Sequence, residues 1–505
     1  MPQVQLPPEI LDYIFLHLRD TSDLPTLRAC CAVSSFFHQL AEPHLYYQLT
    51  LTNGDDPNSE LEYGPTEILK AFSARPHAAD HVRFVKIDLA SRDYSNLRDT
   101  VLVPVLQLLQ RVESVSLENR LPRDDIWQEP HRWDDMSDEF HDAFLRLLTL
   151  PSLRGVSVHD ITDFPLQILD AASSLEHLVL VGDFSYEIQM RAPFQHRARL
   201  KSLKMGHPDI ALAYEYIVAW LLDSPSSPVV SQLEDFKAVI ANDTDLRTLS
   251  FILSACANSL KVFELGGSPG VVNCFYRISE PGSSSVVDDE QVDTLQLLFA
   301  RPSLDIEVLK ESPHSSFDVK NVSMSLPSSF AFSSLSTVNH LILKSSIHAL
   351  MYSEEDSEED TAGEALKYPL RYWTPFEWMR LMLDQFNPPN IRHPPQSSAV
   401  VSGLVLERLT LDILFEVNAF VLSQIRFAPL ASAISSFAST VPRSTVEMRV
   451  GPVVDGYTPV MDSDLYKVEN RKSKLVEVLE RDEHLGPLVI KGLVCISDIN
   501  HSGPV

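Results

Sequence analysis

The chain has 505 residues, more than one compact core usually holds, so at least two structural units are expected. Its 41 lysines and arginines stand against 69 aspartates and glutamates, a net charge of -28, which argues against nucleic acid as the main partner. The five cysteines show no C-x-x-C pair and no histidine at metal-ligand spacing. No long apolar run or basic-then-apolar N-terminus occurs, so a reducing cytosolic or nuclear setting is expected, with no metal, no cofactor and no membrane partner.

The first element opens with Leu6-Pro7-Pro8-Glu9. Pro8 suits a first helical turn, where its missing N–H would have no intrahelical partner, and Glu9 lies near the positive end of the helix dipole. Ile10, Ile14 and Leu18 follow at i, i+4 and i+8, with Leu11 and Phe15 beside them, a stripe wider than one small helix needs for its own neighbours. Something else should cover part of it. Two more short helices are expected over Leu24 to Cys31 and Ser34 to Leu45, with Val33, Phe36, Phe37 and Leu40 supplying apolar contacts and Pro43 bending or ending the last one.

This ordered run resembles an F-box, the motif that docks onto the Skp-type adaptor of a cullin-RING ubiquitin ligase. The resemblance is carried by Leu6, Pro7, Glu9, Ile10, Leu11, Ile14, Phe15 and Leu18, then Leu27, Cys30, Val33, Phe36 and Leu40, then Leu45 and Tyr46. Phe36-Phe37 stands where many relatives have Trp. The resemblance implies that Leu6, Pro7, Pro8, Ile10, Leu11, Ile14, Leu18 and Val33 face the adaptor, with Ile10, Ile14 and Leu18 carrying much of the energy. The other reading of these helices is that they are the start of a larger helical core.

Residues 52–80 read as a linker and 81–505 as the body. There a short strand of form L-x-x-L-x-L recurs: Val82-Val85-Ile87, Val112-Val115-Leu117, Leu153-Val156-Val158, Leu175-Leu178-Leu180, Leu200-Leu203-Met205, Leu233-Phe236-Ala238, Leu260-Phe263-Leu265, Val338-Leu341-Leu343 and Leu406-Leu409-Leu411. Amphipathic stretches precede several of them, at Val101 to Val112, Glu139 to Leu148, Pro165 to Ser173 and Leu246 to Asn258. Between Leu153 and Leu260 the starts are 22 to 33 residues apart, the order and spacing that stacked leucine-rich repeats require. The asparagine that usually ends the strand segment is missing, so the body resembles the degenerate repeats of many fungal F-box proteins. The fold class expected is therefore α/β: a three-helix F-box-like module (1–51), then an irregular leucine-rich-repeat solenoid, or horseshoe.

In such repeats the residues between the leucines line an inner wall. Here they comprise eight bases (Arg83, Lys86, Arg154, Lys201, Lys204, Lys237, Lys261, Arg408) and six acids (Glu113, Glu176, Glu234, Asp235, Glu264, Glu407), so that wall lacks the acidity of the whole. Lys201, Lys204, Lys237 and Lys261 are the candidate contacts for an acidic or phosphorylated target segment. The other reading is a solvated mixed-charge face.

Three insertions interrupt the pattern. Residues 119–141 carry Trp127 and Trp133, which either bind a partner or pin the loop to the body; 280–290 reads as a flexible loop; and 351–365 holds the acidic run SEEDSEEDTAGE, followed by an aromatic cluster at Tyr368 to Trp378. Phosphate-binding, nucleophile-elbow, zinc-protease and dinucleotide motifs are all absent from the sequence. The expected function is non-enzymatic: a substrate-recognition subunit linking a protein target to a Skp-type adaptor and, through it, to a cullin-RING ligase. A leucine-rich-repeat scaffold with no role in ubiquitination is the alternative.

Overall fold

The computed structural model describes residues 6–21, 23–52, 65–89, 101–119, 131–182, 184–186, 197–206, 213–223, 227–240, 243–267, 337–348, 379, 383, 406–416, 427–441, 444–452, 468–469 and 472–499. The segments 280–290 and 351–365, Trp127 and the cluster Tyr368 to Trp378 lie outside these described residues. Two compact units are present: Met1–Met205 with Glu215–Val230, and Gly206–Tyr214 with Ser231–Val505.

The first unit begins with three helices, α1 (Pro8–Asp20), α2 (Leu24–Val33) and α3 (Ser35–Leu45). Local chemistry sets their ends. Pro8 and Glu9 occupy the first turn of α1; the Asp23 carboxylate accepts from the Thr26 N–H at 3.2 Å to start α2, and Ser34 Oγ accepts from the Phe37 N–H at 3.2 Å to start α3. Leu11, Phe15, Leu27 and Ala41 form the buried centre, with Leu18, Leu24, Cys30, Cys31, Phe37, Leu40 and Leu45 packed around it. Pro43 does not end α3. It falls in the last turn, where the helix needs only two more residues, and the Tyr46 N–H closes on the Glu42 carbonyl at 3.1 Å.

The chain then enters a sheet at once. Gln48–Thr52 (β1) pairs in parallel with Phe84–Asp88 (β2), so the segment expected as a linker carries a helix, Pro65–Ala74 (α4), and a 3-10 turn, Pro76–His81, that connect two paired strands. From β2 the parallel order continues through Ser114–Glu118 (β3), Gly155–His159 (β4), His177–Val181 (β6) and Ser202–Met205 (β8). A two-residue parallel pair, Phe164–Pro165 (β5) with Phe184–Ser185 (β7), sits beyond β4 and β6. The register puts Val85, Val115, Val156, Leu178 and Leu203 in one buried row, and Ile87, Leu117, Val158, Leu180 and Met205 in the next.

Helices supply the rest of this core. Leu102–Leu108 (α5) lies between α4 and Asp138–Leu148 (α6), and α6 buries Phe140, Ala143, Phe144, Leu147 and Leu148, the i, i+3, i+4, i+7, i+8 face of an amphipathic helix. The stretch expected as a helix at Pro165 to Ser173 is a 3-10 segment, Leu166–Ala171, and α5 stops well before Val112. Trp133 is buried, its ring stacked on His141 at 4.4 Å and edge-on to Phe164 at 5.0 Å, so it pins its loop to the body. In Ala213–Asp223 (α7), Trp220 Nε1 donates to the Asp170 carboxylate at 2.9 Å. Gly182 has φ +128°, and a Cβ there would come within 3.1 Å of the Asp160 backbone, so this turn requires glycine.

The second unit repeats the plan with Asp235–Ile240 (β9), Val262–Gly267 (β10), His340–His348 (β11), Arg408–Glu416 (β12), Thr445–Pro452 (β13) and Cys495–Asp498 (β16), all parallel and in that order. Asp243–Cys256 (α8) joins β9 to β10; Ala428–Thr440 (α9) precedes β13; and an antiparallel pair, Val468–Glu469 (β14) with Lys472–Ser473 (β15), leads into Lys474–Glu480 (α10) and Gly486–Ile490 (α11). Phe236, Phe263, Leu341, Leu409 and Val446 share a buried row. The Phe236 and Phe263 rings stack at 5.9 Å.

Every one of the nine L-x-x-L-x-L segments lies on, or leads into, a parallel strand, with all three apolar residues buried. The fold is thus a helical N-terminal module followed by an α/β body of parallel strands. Strands β1, β13 and β16 escape the pattern because one slot of each holds another residue: Tyr46 before Leu49, Arg443 before Val446, and Asp498 after Ile496.

Candidate functional site

Among the described residues, exposed large apolar side chains concentrate in the helical module. Leu6, Ile10, Tyr13, Ile14, Val33 and Phe36 are all exposed, from 40% for Ile14 to 71% for Tyr13, whereas the remaining described residues of both units contribute only Phe84, Leu108, Leu145, Val478 and Ile490 to this class. Single exposed apolar residues are ordinary, but six within about thirty residues are a concentration that suits a partner-facing surface.

The geometry divides the eight candidate adaptor residues. Leu6, Pro7, Pro8, Ile10, Ile14 and Val33 are exposed; Leu11 is buried, and Leu18 is half-buried against the module's own centre. The stripe read as one face is therefore two. Ile10 and Ile14 point outward, while Leu11, Phe15 and Leu18 turn inward onto α2 and α3. Tyr13 was not among the candidates, although its i+3 spacing from Ile10 puts it on the same outer face. Phe36, expected to pack inside, is half exposed and lies edge-on to Phe37, which in turn packs on Phe15 of α1.

Polar contacts fix the module to the body. The Glu42 side chain on α3, only 7% exposed, receives Arg75 Nη1 at 3.1 Å on one oxygen and His77 Nε2 at 3.3 Å on the other. His38 Nε2 lies 3.4 Å from Glu42 and accepts from Arg75 Nη1 at 2.8 Å. Burial pushes the nearby His81 imidazole below its ordinary pKa, against the pull of Glu42. Burial, reinforced by the Glu42 charge, pushes the Cys31 thiol up. The Arg19 guanidinium sits 3.9 Å over the Tyr47 ring, and His44 pairs with Asp12 at 2.8 Å.

Residues 4–52 match the F-box-like family model, so this helical module is an F-box-like domain. Domains of this kind generally bind Skp-type adaptors, and the exposed patch lies on the helices that the match covers. A comparison of the chain with curated proteins found no match. Among the described residues, no helix is long and apolar enough to cross a membrane.

Of the four candidate target-binding lysines, Lys204 and Lys237 alternate with the buried residues of β8 and β9, whereas Lys201 and Lys261 are exposed one residue ahead of β8 and β10. In the first unit, Lys201 pairs with Glu176 at 2.7 Å, and the same carboxylate takes Arg154 at 3.2 Å. The Lys201 hydrogen bond holds Glu176 below the usual carboxylate range. Lys204 lies on β8 and weighs on the charge of His159, a residue that burial keeps below its ordinary pKa. In the second unit, Lys261 pairs with Glu234 at 2.7 Å, and Lys237 reaches Glu264 at 3.5 Å.

Lys237 is one end of a ladder of alternating charge that sequence reading did not foresee. It continues from Glu264 to Lys344 at 2.7 Å, from Lys344 to Asp412 at 4.0 Å, and from Asp412 to Arg449 through two hydrogen bonds of 2.6 Å. Burial alone would raise the Glu264 pKa, but the hydrogen bond from Lys344 and the charges of Lys344 and Lys237 outweigh it and hold Glu264 low. Arg408 pairs with Glu447 beside the ladder.

Proposed function

We propose that this chain is a substrate-recognition subunit of a Skp-cullin-F-box type ubiquitin ligase. The observation that carries the reading is the cluster of exposed apolar side chains, Leu6, Ile10, Tyr13, Ile14, Val33 and Phe36, on an F-box-like domain. Each large aliphatic side chain buried by an adaptor contributes about 1.5–3 kcal/mol before ordering costs, so two or three of them supply most of a stable contact. The body, read as degenerate leucine-rich repeats curved into a horseshoe, would hold a protein target. The register-aligned parallel strands, each buried by the same apolar triplet, support that reading.

The mechanism is proximity. The chain raises the effective concentration of target lysines near the ubiquitin-charged enzyme and performs no chemistry itself, in the cytosol or nucleus. The test is turnover of a bound target in cells carrying wild type or a variant with Ile10 and Ile14 changed to Glu. Turnover lost in the variant supports the ligase reading. Turnover unchanged, with adaptor binding abolished, assigns the chain to a scaffold role.

Target recognition through Lys201, Lys204, Lys237 and Lys261 belongs to the same proposal. On either unit, an acidic segment would compete with the present partners of these lysines, Glu176 at Lys201, Glu234 at Lys261 and Glu264 at Lys237. Charge reversal of all four lysines is expected to weaken an acidic target selectively; unchanged binding to every confirmed target rejects these contacts.

A further inference from the structure

We infer that Arg75, a residue of the body, is a positioning residue for the adaptor-facing corner between α2 and α3. This inference rests on the adaptor reading above. A guanidinium only donates, so its 2.8 Å contact makes His38 Nε2 the acceptor and places the imidazole proton on Nδ1. His38 Nδ1–H then donates to the Cys31 carbonyl at 3.3 Å. Cys31 lies in the last turn of α2, where carbonyls lack intrahelical partners, so His38 ties α3 to the end of α2 from the side.

Three residues beyond Cys31, Ser34 caps α3: its Oγ accepts from the Phe37 N–H at 3.2 Å and its carbonyl from the His38 N–H at 2.8 Å. Between these two ties stand Val33 and Phe36, both exposed. The order of contacts is Arg75, His38, Cys31, and then the corner that presents two of the six patch residues. Glu42 anchors the relay: it is buried, it holds Arg75 at 3.1 Å, and His77 takes its second oxygen. Arg75 thus serves two acceptors with one nitrogen, Nη1; a lysine Nζ also has donors for two acceptors but lies one bond nearer the backbone, so it keeps the charge near Glu42 while falling short of His38.

The test uses the full-length chain as wild type, Arg75→Ala, Arg75→Lys and Ile10→Glu, with two readouts: affinity for a Skp-type adaptor, and amide exchange of the adaptor-free protein. Both Arg75 variants are expected to bind about three- to tenfold more weakly and to speed exchange at Phe37 and His38, while exchange in β2, β3 and β4 stays as in wild type. The inference is overturned if wild type binds and Ile10→Glu does not, yet both Arg75 variants bind normally or keep the corner's exchange rate. It is equally overturned if exchange rises across the sheet, since Arg75 would then only support the fold. Absence of any wild-type binding would remove the adaptor reading itself, and the relay with it.

Discussion

The N-terminal helices and the strand body spend their apolar residues in opposite ways. In the body, each triplet such as Leu260-Phe263-Leu265 is wholly buried: the last two residues share one face because a strand alternates its side chains, and the first is buried just ahead of the strand. In α1 the neighbouring residues Ile10 and Leu11, or Ile14 and Phe15, part company: the first of each pair is exposed and the second buried. A strand's apolar pattern thus fixes its buried face, whereas a helix with too wide a stripe keeps one part for its own fold and offers the rest to another molecule.

That contrast can be broken by substitution. The largest effect is expected in the body: Phe263→Ala removes a ring stacked on Phe236 and should cost about 3–5 kcal/mol, read from urea unfolding. A cost below about 1 kcal/mol would show that this row is not tightly packed. Within α1 the split itself is testable. Leu18→Ala, at a half-buried position, should cost about 1–2 kcal/mol, while Ile14→Ala should change stability by no more than about 0.5 kcal/mol. Equal losses would merge the two faces again.

The polar face of the second unit gives an effect of similar size. Asp412→Asn breaks the doubly hydrogen-bonded pair with Arg449; because Arg449 is about one-third exposed, water screens part of the loss, and about 1–2 kcal/mol is expected in the same unfolding assay.

The smallest effect is with pH. Burial lowers the pKa of His131, and of His159, where Glu118 opposes it, so the unfolded chain binds these protons more readily than the folded one. Stability is then full above the ordinary imidazole range and falls as pH drops through it. Glu264, held low in the folded state, adds a further loss below the ordinary carboxylate range. A stability curve flat across the imidazole range would contradict the lowered pKa of these two histidines.

Much of this was legible in the sequence for a physical reason. Proline at the helix start, the spacing of apolar residues along the first fifty positions and the L-x-x-L-x-L triplets are local signals, and they located the three helices and nine of the strands. Missed strands carry a polar or aromatic residue in one apolar slot, as at Tyr46 and Arg443. The charge ladder was out of reach because Lys237, Glu264, Lys344, Asp412 and Arg449 come from five different strands and meet only through sheet register. In the candidate site, Ile10, Ile14 and Val33 were readable from the motif. The inward turn of Leu11 and Leu18 was not, since it depends on where α2 and α3 pack.

The most direct test of the central claim is co-purification of the full-length chain with a Skp-type adaptor, comparing wild type with a double variant, Ile10→Glu and Ile14→Glu. Leu18 is left in place because it belongs to the module's own core. The account predicts a stable complex for wild type, its loss in the variant, and an unfolding midpoint for the variant close to that of wild type. A variant that still binds, or one that fails to bind because it no longer folds, would contradict the assignment of these two side chains to an outer, partner-facing surface.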